Sequence, residues 1–217
     1  AGLELRAVLV AADRSKPLPA MVGDDVDVFA ADDDVLTQIT GRPELRDPLA
    51  CFVRPPLPDA DALLRRHRTF AVLEGVNNPN NLGVIMRNAA GLGIGAVFLD
   101  PTCGDPLYRR AIRASMGQVF AVPHARLDAL PTGLRTMHDA GVETIALSPT
   151  ASAALAKPAS ATRVAVLLGA EGPGLTEATL AAATHRMRIP MARGVDSLNV
   201  AAAAAIAFHR LVDGQAS

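Results

Sequence analysis

Short apolar runs that alternate with helical segments constrain the fold of this chain more than any other feature. The run at 164–168 (VAVLL) is apolar at every position, whereas a strand with one solvated face would alternate apolar and polar residues. Strands are predicted at 70–76, 96–99, 119–122, 143–147, 163–169 and 186–189. Helices are predicted at 82–92, 106–116, 127–140, 176–184 and 197–212. This pattern indicates an open α/β fold, with a parallel sheet covered on both faces and ligands beyond the carboxyl ends of its strands.

A smaller α/β domain is predicted to precede this sheet, over residues 1–54. Its strands are predicted at 3–11, 26–30 and 49–53, and its helix at 33–40. Gly41 follows the predicted helix and is expected to end it. The chain opens directly in a strand-like run at Ala1, so the first elements of this domain are expected to be missing.

The boundary between the two domains is predicted from prolines and from charge. The stretch 54–58 (RPPLP) lacks most of the backbone donors that a strand or a helix needs, so 55–69 is predicted to be a linker and 70–217 the second domain. Residues 1–64 carry 6 basic and 12 acidic side chains, whereas residues 65–217 carry 15 and 10. This asymmetry supports a domain boundary.

Composition excludes several functional classes. The chain has 217 residues, of which 50% are hydrophobic, as expected of a packed protein and not of a disordered one. The two cysteines lie far apart and the five histidines are scattered, so no metal site is predicted, and a reduced, cytosolic protein is expected. No apolar run reaches the ~20 residues of a membrane-spanning helix. Of the 21 basic residues 19 are arginine, which suits phosphate contacts and is equally typical of a GC-rich genome.

Three loops at predicted strand ends collect polar residues and glycines. The first loop, 77–83 (NNPNNLG), leads into a helix that carries Arg87. Asn81 is predicted to cap this helix. Arg87 is expected to be partly buried among apolar neighbours, where a guanidinium must be paired or must receive an anionic ligand.

The second and third loops resemble ligand-binding turns. The loop at 169–176 (GAEGPGLT) has glycines that allow a ligand close to the backbone, but Glu171 would repel a phosphate. The third loop, 189–196 (IPMARGVD), runs into the last predicted helix, which Asp196 or Ser197 is expected to cap. Capping alone does not explain an asparagine at position 199. Each loop taken alone also has a purely structural interpretation as a cap or a tight turn.

In this order, the three loops resemble the motifs of the SpoU (TrmH-like) 2'-O-ribose methyltransferases of the SPOUT superfamily. The motifs are Asn81-Leu82-Gly83 with Arg87, 168–175 (LGAEGPGL), and 189–191 (IPM) through 197–200 (SLNV). The spacer 108–123 (YRRAIRASMGQVFAVP) is similar to the family as well. The resemblance covers residues 70–212.

The resemblance implies a fold, a cofactor and an assembly. The expected fold is the SPOUT trefoil-knotted open parallel sheet, preceded by a small, truncated L30e-like RNA-binding domain at 1–54. The expected assembly is a homodimer. The expected cofactor is S-adenosylmethionine, and Gly169, Ile189 and Leu198 would contact it.

The resemblance also implies which residues carry the chemistry. The implied catalytic residues are Arg87, Asn81, Glu171, Ser197 and Asn199. A guanidinium keeps its proton in proteins, so Arg87 is expected to fix the target phosphate and stabilise developing oxyanion charge while the other four orient it and the ribose. Arg113 and Ser115, in the spacer, are expected to contact RNA or the second subunit.

The sequence leaves two RNA substrates and two other classes of protein as alternatives. The N-terminal domain and the spacer favour ribosomal RNA as the substrate over transfer RNA. A non-catalytic RNA-binding protein of the same fold is one alternative. A nicotinamide-dependent oxidoreductase is another, but its glycine fingerprint is absent after the first strand, and the glycines at 91–95 (GLGIG) lie between a helix and a strand.

Overall fold

The chain divides into two compact units, Ala1–Pro56 and Leu57–Ser217. A computed structural model describes residues 2–14, 16–20, 22–41 and 47–212. The boundary between the units falls inside the proline-rich stretch, where backbone donors are missing. None of the helices in the described part of the chain has the length and hydropathy that a membrane-spanning helix requires.

The first unit is a three-stranded sheet with one helix. Its elements are β1 (Leu5–Ala11), β2 (Asp27–Ala31), α1 (Asp33–Thr40) and β3 (Leu49–Phe52). The central strand β1 pairs parallel to β2 and antiparallel to β3. Val8, Val10 and Leu36 are buried, and Gly41 ends α1 in a left-handed conformation (φ 69°) with its N–H donated to Thr37 O. The elements predicted for this segment are confirmed in type and order.

The second unit is built on a seven-stranded parallel sheet. Its strands are β4 (Thr69–Glu74), β5 (Ala96–Leu99), β6 (His124–Arg126), β7 (Glu143–Leu147), β8 (Ala153–Ala154), β9 (Val164–Gly169) and β10 (His185–Arg188). Their order in the sheet is β6-β5-β4-β9-β7-β10-β8, and every pair is parallel. The predicted open parallel sheet is confirmed.

Helices cover both faces of this sheet. They are α2 (Ala60–Arg66), α3 (Pro79–Gly91), α4 (Arg109–Ala114), α5 (Leu134–Asp139), α6 (Glu177–Ala182) and α7 (Val200–Val212). One apolar cluster packs α3 and α7 against the sheet through residues such as Ile85 and Phe208. A second cluster packs α2, α5 and α6 on the other face through residues such as Leu64, Met137 and Leu180. The strands between them are buried on both faces, which explains their continuous apolar runs.

The linker predicted at 55–69 is shorter in the structure, because helix α2 occupies much of that range. Asp59 caps α2 by accepting the N–H of Ala62 at 3.3 Å. Leu63 and Leu64 are buried in an apolar cluster of the second unit, to which α2 belongs. The prolines end at position 58, and nothing after them prevents a helix.

Two secondary-structure predictions near the middle of the chain are wrong. Residues 119–122 were expected to be extended, but a 3-10 turn spans Gln118–Phe120 and the strand follows at β6. The helix expected at 127–140 begins only at Leu134. Pro131 and Gly133 precede that start, and both residues disfavour a helix interior.

Candidate active site

A cleft of about 400 Å³ lies beyond the carboxyl ends of three adjacent strands, β9, β7 and β10. Its walls come from the loops that follow these strands. The lining includes Gly169, Glu171, Ile189, Ser197, Leu198 and Asn199. All three residues predicted to contact a cofactor therefore line one cleft, together with three of the five predicted catalytic residues.

Gly169 is required by the path of the loop that follows β9. A β-carbon at this position would overlap the backbone of Gly174 and Leu175. The loop closes on itself here, because Gly174 donates its N–H to Ala170 O at 3.0 Å. The cleft wall is thus backbone, which a ligand can approach closely.

Glu74, which the sequence analysis missed, fixes the far end of the same loop. It is the last residue of β4, pairs in register with Gly169 and is only 7% exposed. Its carboxylate accepts the Thr176 N–H at 2.9 Å, the Thr176 hydroxyl at 2.9 Å and the Thr179 hydroxyl at 2.6 Å. A carboxylate at the end of an otherwise apolar strand run was the available signal, since a buried charge must be paired.

Asn199 joins two of the predicted catalytic residues. Its Nδ2 donates to Asn81 Oδ1 at 3.0 Å and to Glu171 Oε1 at 2.8 Å. Its Oδ1 accepts the N–H groups of Ala201 at 2.9 Å and Ala202 at 3.3 Å. These backbone donors fix which end of the amide faces Glu171, so the orientation of Asn199 follows from its contacts.

The predicted caps of α3 and α7 are wrong, and the corrections bear on the site. Asn78 caps α3 by accepting the N–H of Asn80 at 2.9 Å, so Asn81 lies inside the helix. Helix α7 begins at Val200, and Asn199 caps it instead of Asp196 or Ser197. Because Asn78 and Asn199 take the caps, the Asn81 side chain is available to the site.

Asn81 carries an unused donor. It is 8% exposed, and its Oδ1 is occupied by Asn199. Its buried Nδ2 has no hydrogen-bond acceptor within the described part of the chain. A buried donor without a partner is costly, and at a binding site it indicates an acceptor supplied by a ligand.

Arg87 was expected to be partly buried, and the structure corrects this. It is exposed, does not line the cleft, and makes no hydrogen bond or ion pair among the described residues. Ile85, Met86 and Ala89 occupy the buried side of α3. At 3.6 residues per turn, Arg87 points about 160° away from Ala89. The guanidinium is therefore open to an anionic ligand from solvent.

Of the two spacer residues predicted to contact RNA or a second subunit, Arg113 is exposed and Ser115 is buried. Ser115 is fully buried, its Oγ donating to Ile112 O at 2.8 Å and accepting the Val119 N–H at 3.4 Å. This hydroxyl shapes the chain after α4, which argues against the predicted RNA contact. Arg113, in the last turn of α4, is exposed. Gly83 allows α4 to pack on α3, since a β-carbon there would overlap Ala111 O and Ala114 Cβ.

Beneath the first loop, Cys103 is a structural thiol. It donates to Leu73 O at 3.2 Å and accepts the Val76 N–H at 3.3 Å. Burial raises the pKa of this thiol to about 12, so it stays protonated at neutral pH and is not a nucleophile. No group of three or more His, Cys, Asp or Glu that could hold a metal occurs among the described residues.

A parallel α/β sheet with a cleft at its carboxyl edge, lined by glycine backbone and by Asn199 and Glu171, has the arrangement of a ligand-binding protein. Comparisons with known proteins identify the family. The profile of the SpoU rRNA Methylase family matches residues 68–209. A Mycobacterium tuberculosis protein described as a tRNA/rRNA methyltransferase is 48% identical over 83% of this chain and 64% of its own length. The chain thus spans less than two thirds of that relative.

Two further proteins are similar. The 23S rRNA (guanosine-2'-O-)-methyltransferase of Vibrio parahaemolyticus is 30% identical over 71% of this chain and 63% of its own length. The crystal structure of an AdoMet-bound rRNA methyltransferase from Sinorhizobium meliloti superposes with a TM-score of 0.79 and 27% identity, covering 96% of this chain and 80% of that one. The chain belongs to the SpoU rRNA methylase family of the SPOUT superfamily, as the motifs predicted.

Proposed function

We propose that this chain is an S-adenosylmethionine-dependent methyltransferase that modifies a ribose 2'-hydroxyl of RNA. The observation that carries the proposal is the hydrogen-bond chain Asn81–Asn199–Glu171, in which Asn199 and Glu171 line the cleft and the Asn81 donor behind them is unused. Membership of the family and the activities named for its relatives support it. A cleft of about 400 Å³ is also of the size that small-molecule cofactors use.

The residues of the cleft fit the cofactor. Gly169, Ile189 and Leu198 would hold S-adenosylmethionine, which when bound supplies a methyl group on a positively charged sulfur. Gly169 lets the loop backbone close against itself at the cleft wall, because a β-carbon there would overlap Gly174 and Leu175. Glu171 places a carboxylate at the cleft, and a carboxylate complements a sulfonium charge.

The unused Asn81 donor is suited to a substrate oxygen. We infer that its Nδ2 donates to an oxygen of the target ribose or its phosphate, which removes the cost of the unpaired donor. Asn199 holds Asn81 and Glu171 in one arrangement before the substrate arrives. Ser197 lines the same cleft and would orient the ribose. A preorganised polar site of this kind lowers the barrier to transfer.

Arg87 is proposed to bind the target phosphate and to stabilise the charge that develops as the 2'-hydroxyl loses its proton. Its exposure and lack of internal partners among the described residues are what such a role requires. A guanidinium is a poor base because it keeps its proton, so we propose that the substrate phosphate itself receives the proton.

The remaining family properties are proposals for this chain. We propose ribosomal RNA as the substrate and transfer RNA as the alternative, in a cytoplasmic homodimer, with residues 1–54 as a partial L30e-like RNA-binding domain. A non-catalytic RNA-binding member of the fold is the other alternative, against which the intact catalytic set argues. A trefoil knot is proposed for the second unit. The placement of β10 between β7 and β8, which are consecutive in the chain, is consistent with it.

A labelling experiment tests the proposed reaction. The protein is incubated with methyl-labelled S-adenosylmethionine and, in parallel, unmodified 23S, 16S and transfer RNA. We expect label in a ribosomal RNA as an alkali-resistant 2'-O-methyl nucleotide. Label in transfer RNA alone would replace the proposed substrate, and cofactor binding without any transfer would favour the non-catalytic alternative.

Arg87→Ala is the control variant for this experiment. We expect transfer to fall by about 10²-fold or more, because a stabiliser of transition-state charge is removed. Cofactor affinity, measured by calorimetric titration, should stay near that of the unchanged protein, since Arg87 does not line the cleft. An equal loss of cofactor binding would show a structural role for Arg87 instead.

A further inference from the structure

Helix α4 and the turn after it form a basic stretch of the second unit. Residues 106–127 contain no glutamate or aspartate, but they include Arg109, Arg110 and Arg113 on one short helix. All three arginines are exposed. Arg110 and Arg113 make no hydrogen bond or ion pair among the described residues, so their charge is not neutralised within this part of the chain.

Packing fixes which side of α4 faces outward. Ala111 is fully buried, and it meets α3 at Gly83, where there is no room for a β-carbon. Ser115 is fully buried one turn later, bonded to Ile112 O and the Val119 N–H. Residues three or four apart share a helix face, so Ala111 and Ser115 define the inner face and leave the arginines outside.

Three large apolar side chains flank these arginines in solvent. Tyr108 is 53% exposed, Met116 70% and Phe120 36%. Met116 also has a φ of 53°, a left-handed conformation that non-glycine residues adopt at a cost and that occurs more often at functional sites. We name these six residues the arginine face: Tyr108, Arg109, Arg110, Arg113, Met116 and Phe120.

The composition of the arginine face distinguishes between two kinds of partner. Two copies of this chain that met symmetrically through it would bring together four arginines, Arg110 and Arg113 of each copy, that have no partner among the described residues. Like charges brought together at an interface are repelled. RNA supplies the complementary charge in its phosphates, and unpaired bases stack on aromatic side chains and on guanidinium planes.

We propose that the arginine face binds the RNA substrate, in a single-stranded or looped segment that continues toward Asn81 and Arg87. The inference rests on the proposed function for the identity of the partner. Arg110 and Arg113 contact phosphates, and Tyr108 and Phe120 provide stacking surfaces. Helix α4 packs directly on α3, which carries Asn81 and Arg87, so RNA held on this face lies beside the helix that carries these residues.

The test compares two double variants of the full chain. Arg110→Ala with Arg113→Ala removes two charges from the arginine face. Arg65→Ala with Arg66→Ala removes two exposed arginines from the last turn of α2 and is the matched control. Binding of unmodified ribosomal RNA is measured at several salt concentrations, and cofactor affinity and molecular mass in solution are measured for each protein.

We expect the arginine-face variant to bind RNA about tenfold or more weakly, while its cofactor affinity is unchanged. When a protein makes one phosphate contact fewer with a single strand, the slope of log affinity against log salt becomes shallower by about 0.7. The slope should therefore become shallower by about 1.4 for the two arginines. The control should change neither the affinity nor the slope by a comparable amount.

Three results would overturn the inference. RNA affinity and salt slope equal to those of the unchanged protein would show that the face does not touch RNA. A loss of dimer mass in the arginine-face variant alone would assign the face to contacts between copies. Equal losses in both variants would show a diffuse charge effect. If the unchanged protein binds RNA but transfers no methyl group, the catalytic proposal fails. The proposal for the arginine face is then decided by the RNA-binding measurements alone.

Discussion

At the scale of single residues, Asn199 combines a structural role with the catalytic role proposed for it in one side chain. Its Oδ1 caps α7, and its Nδ2 holds Asn81 and Glu171. Asn199→Asp separates the two roles, because a carboxylate still caps the helix and suits the positive end of its dipole, but it donates nothing.

We expect Asn199→Asp to lose most methyl transfer, because its carboxylate donates nothing to Asn81 and repels the Glu171 carboxylate. That repulsion should lower the unfolding temperature somewhat although the helix stays capped. Asn78→Ala is the matched control, since it removes the cap of α3 only, at a cost of about 1 kcal/mol. That variant should be less stable in thermal unfolding but should transfer methyl groups at a rate close to normal. An active Asn199→Asp variant would contradict the role given to the Asn81–Asn199–Glu171 chain.

The two cysteines allow a test of burial that needs no RNA. Cys51 is exposed and Cys103 is buried, and burial raises the pKa of the Cys103 thiol to about 12. Because the thiolate is the reactive form, a disulfide reagent at pH 8 should modify one thiol in the folded protein and two after denaturation. Rapid modification of both thiols in the folded protein would show that the first loop opens readily.

At the scale of elements, Glu74 connects the end of β4 to the start of α6 and so fixes the loop that walls the cleft. We expect Glu74→Gln to lower the free energy of unfolding by about 1–3 kcal/mol, because an amide presents a donor where the carboxylate met only donors. Cofactor affinity should fall by about tenfold, equivalent to ~1.4 kcal/mol, as the loop loses its anchor. Transfer at saturating cofactor should be much less affected.

Glu143→Gln is the matched control for this prediction. Glu143 accepts hydrogen bonds from His185 at 2.8 Å and from Ser160 at 3.3 Å at the start of β7, the end of the strand opposite the cleft. It should leave cofactor affinity unchanged in the same titration. Equal weakening by both variants would mean that general destabilisation, not the loop, sets the affinity.

Hydrophobic patterns in the sequence predicted the helices and strands well where burial of side chains determines the structure. They predicted them less well where a turn determines it. The continuous apolar run at 164–168 became β9, buried on both faces, because burial acts on each residue of such a strand. The failures at 119–122 and 127–140 lie beside Gly117, Pro131 and Gly133, where backbone conformation overrides hydrophobic periodicity.

The residues of the candidate site likewise fall into those that local sequence predicted and those that depend on tertiary packing. Gly169, Ile189 and Leu198 lie in motifs of recognisable spacing, and the structure brings all three to one cleft. The burial of Ser115 and the exposure of Arg87 depend on how α3 and α4 pack, which no local pattern specifies. The role of Glu74 likewise depends on a contact with Thr176, about one hundred positions further along the chain, which a local pattern does not reveal.

At the scale of the whole molecule, the two apolar clusters of the sheet lie entirely within Leu57–Ser217. A unit with its own core can fold alone. We therefore expect a fragment of residues 57–217 to unfold cooperatively and to bind S-adenosylmethionine with the affinity of the full chain, measured by calorimetry. A fragment that fails to fold would show that the first unit contributes to the stability of the second.

The place of β10 in the sheet sets an order for folding during synthesis. Within the part of the chain that the structure describes, residues 153–154 pair with Met187 and Arg188 alone, so β8 waits for more than thirty further residues to leave the ribosome. Such late, non-local pairing slows folding. Strand β10, which lies between β7 and β8, is followed in the chain by the cleft residues Ile189 and Leu198. We therefore expect the cleft to be among the last parts of the nascent protein to form. A partly made chain would then hold a nearly complete sheet but no place for its ligand.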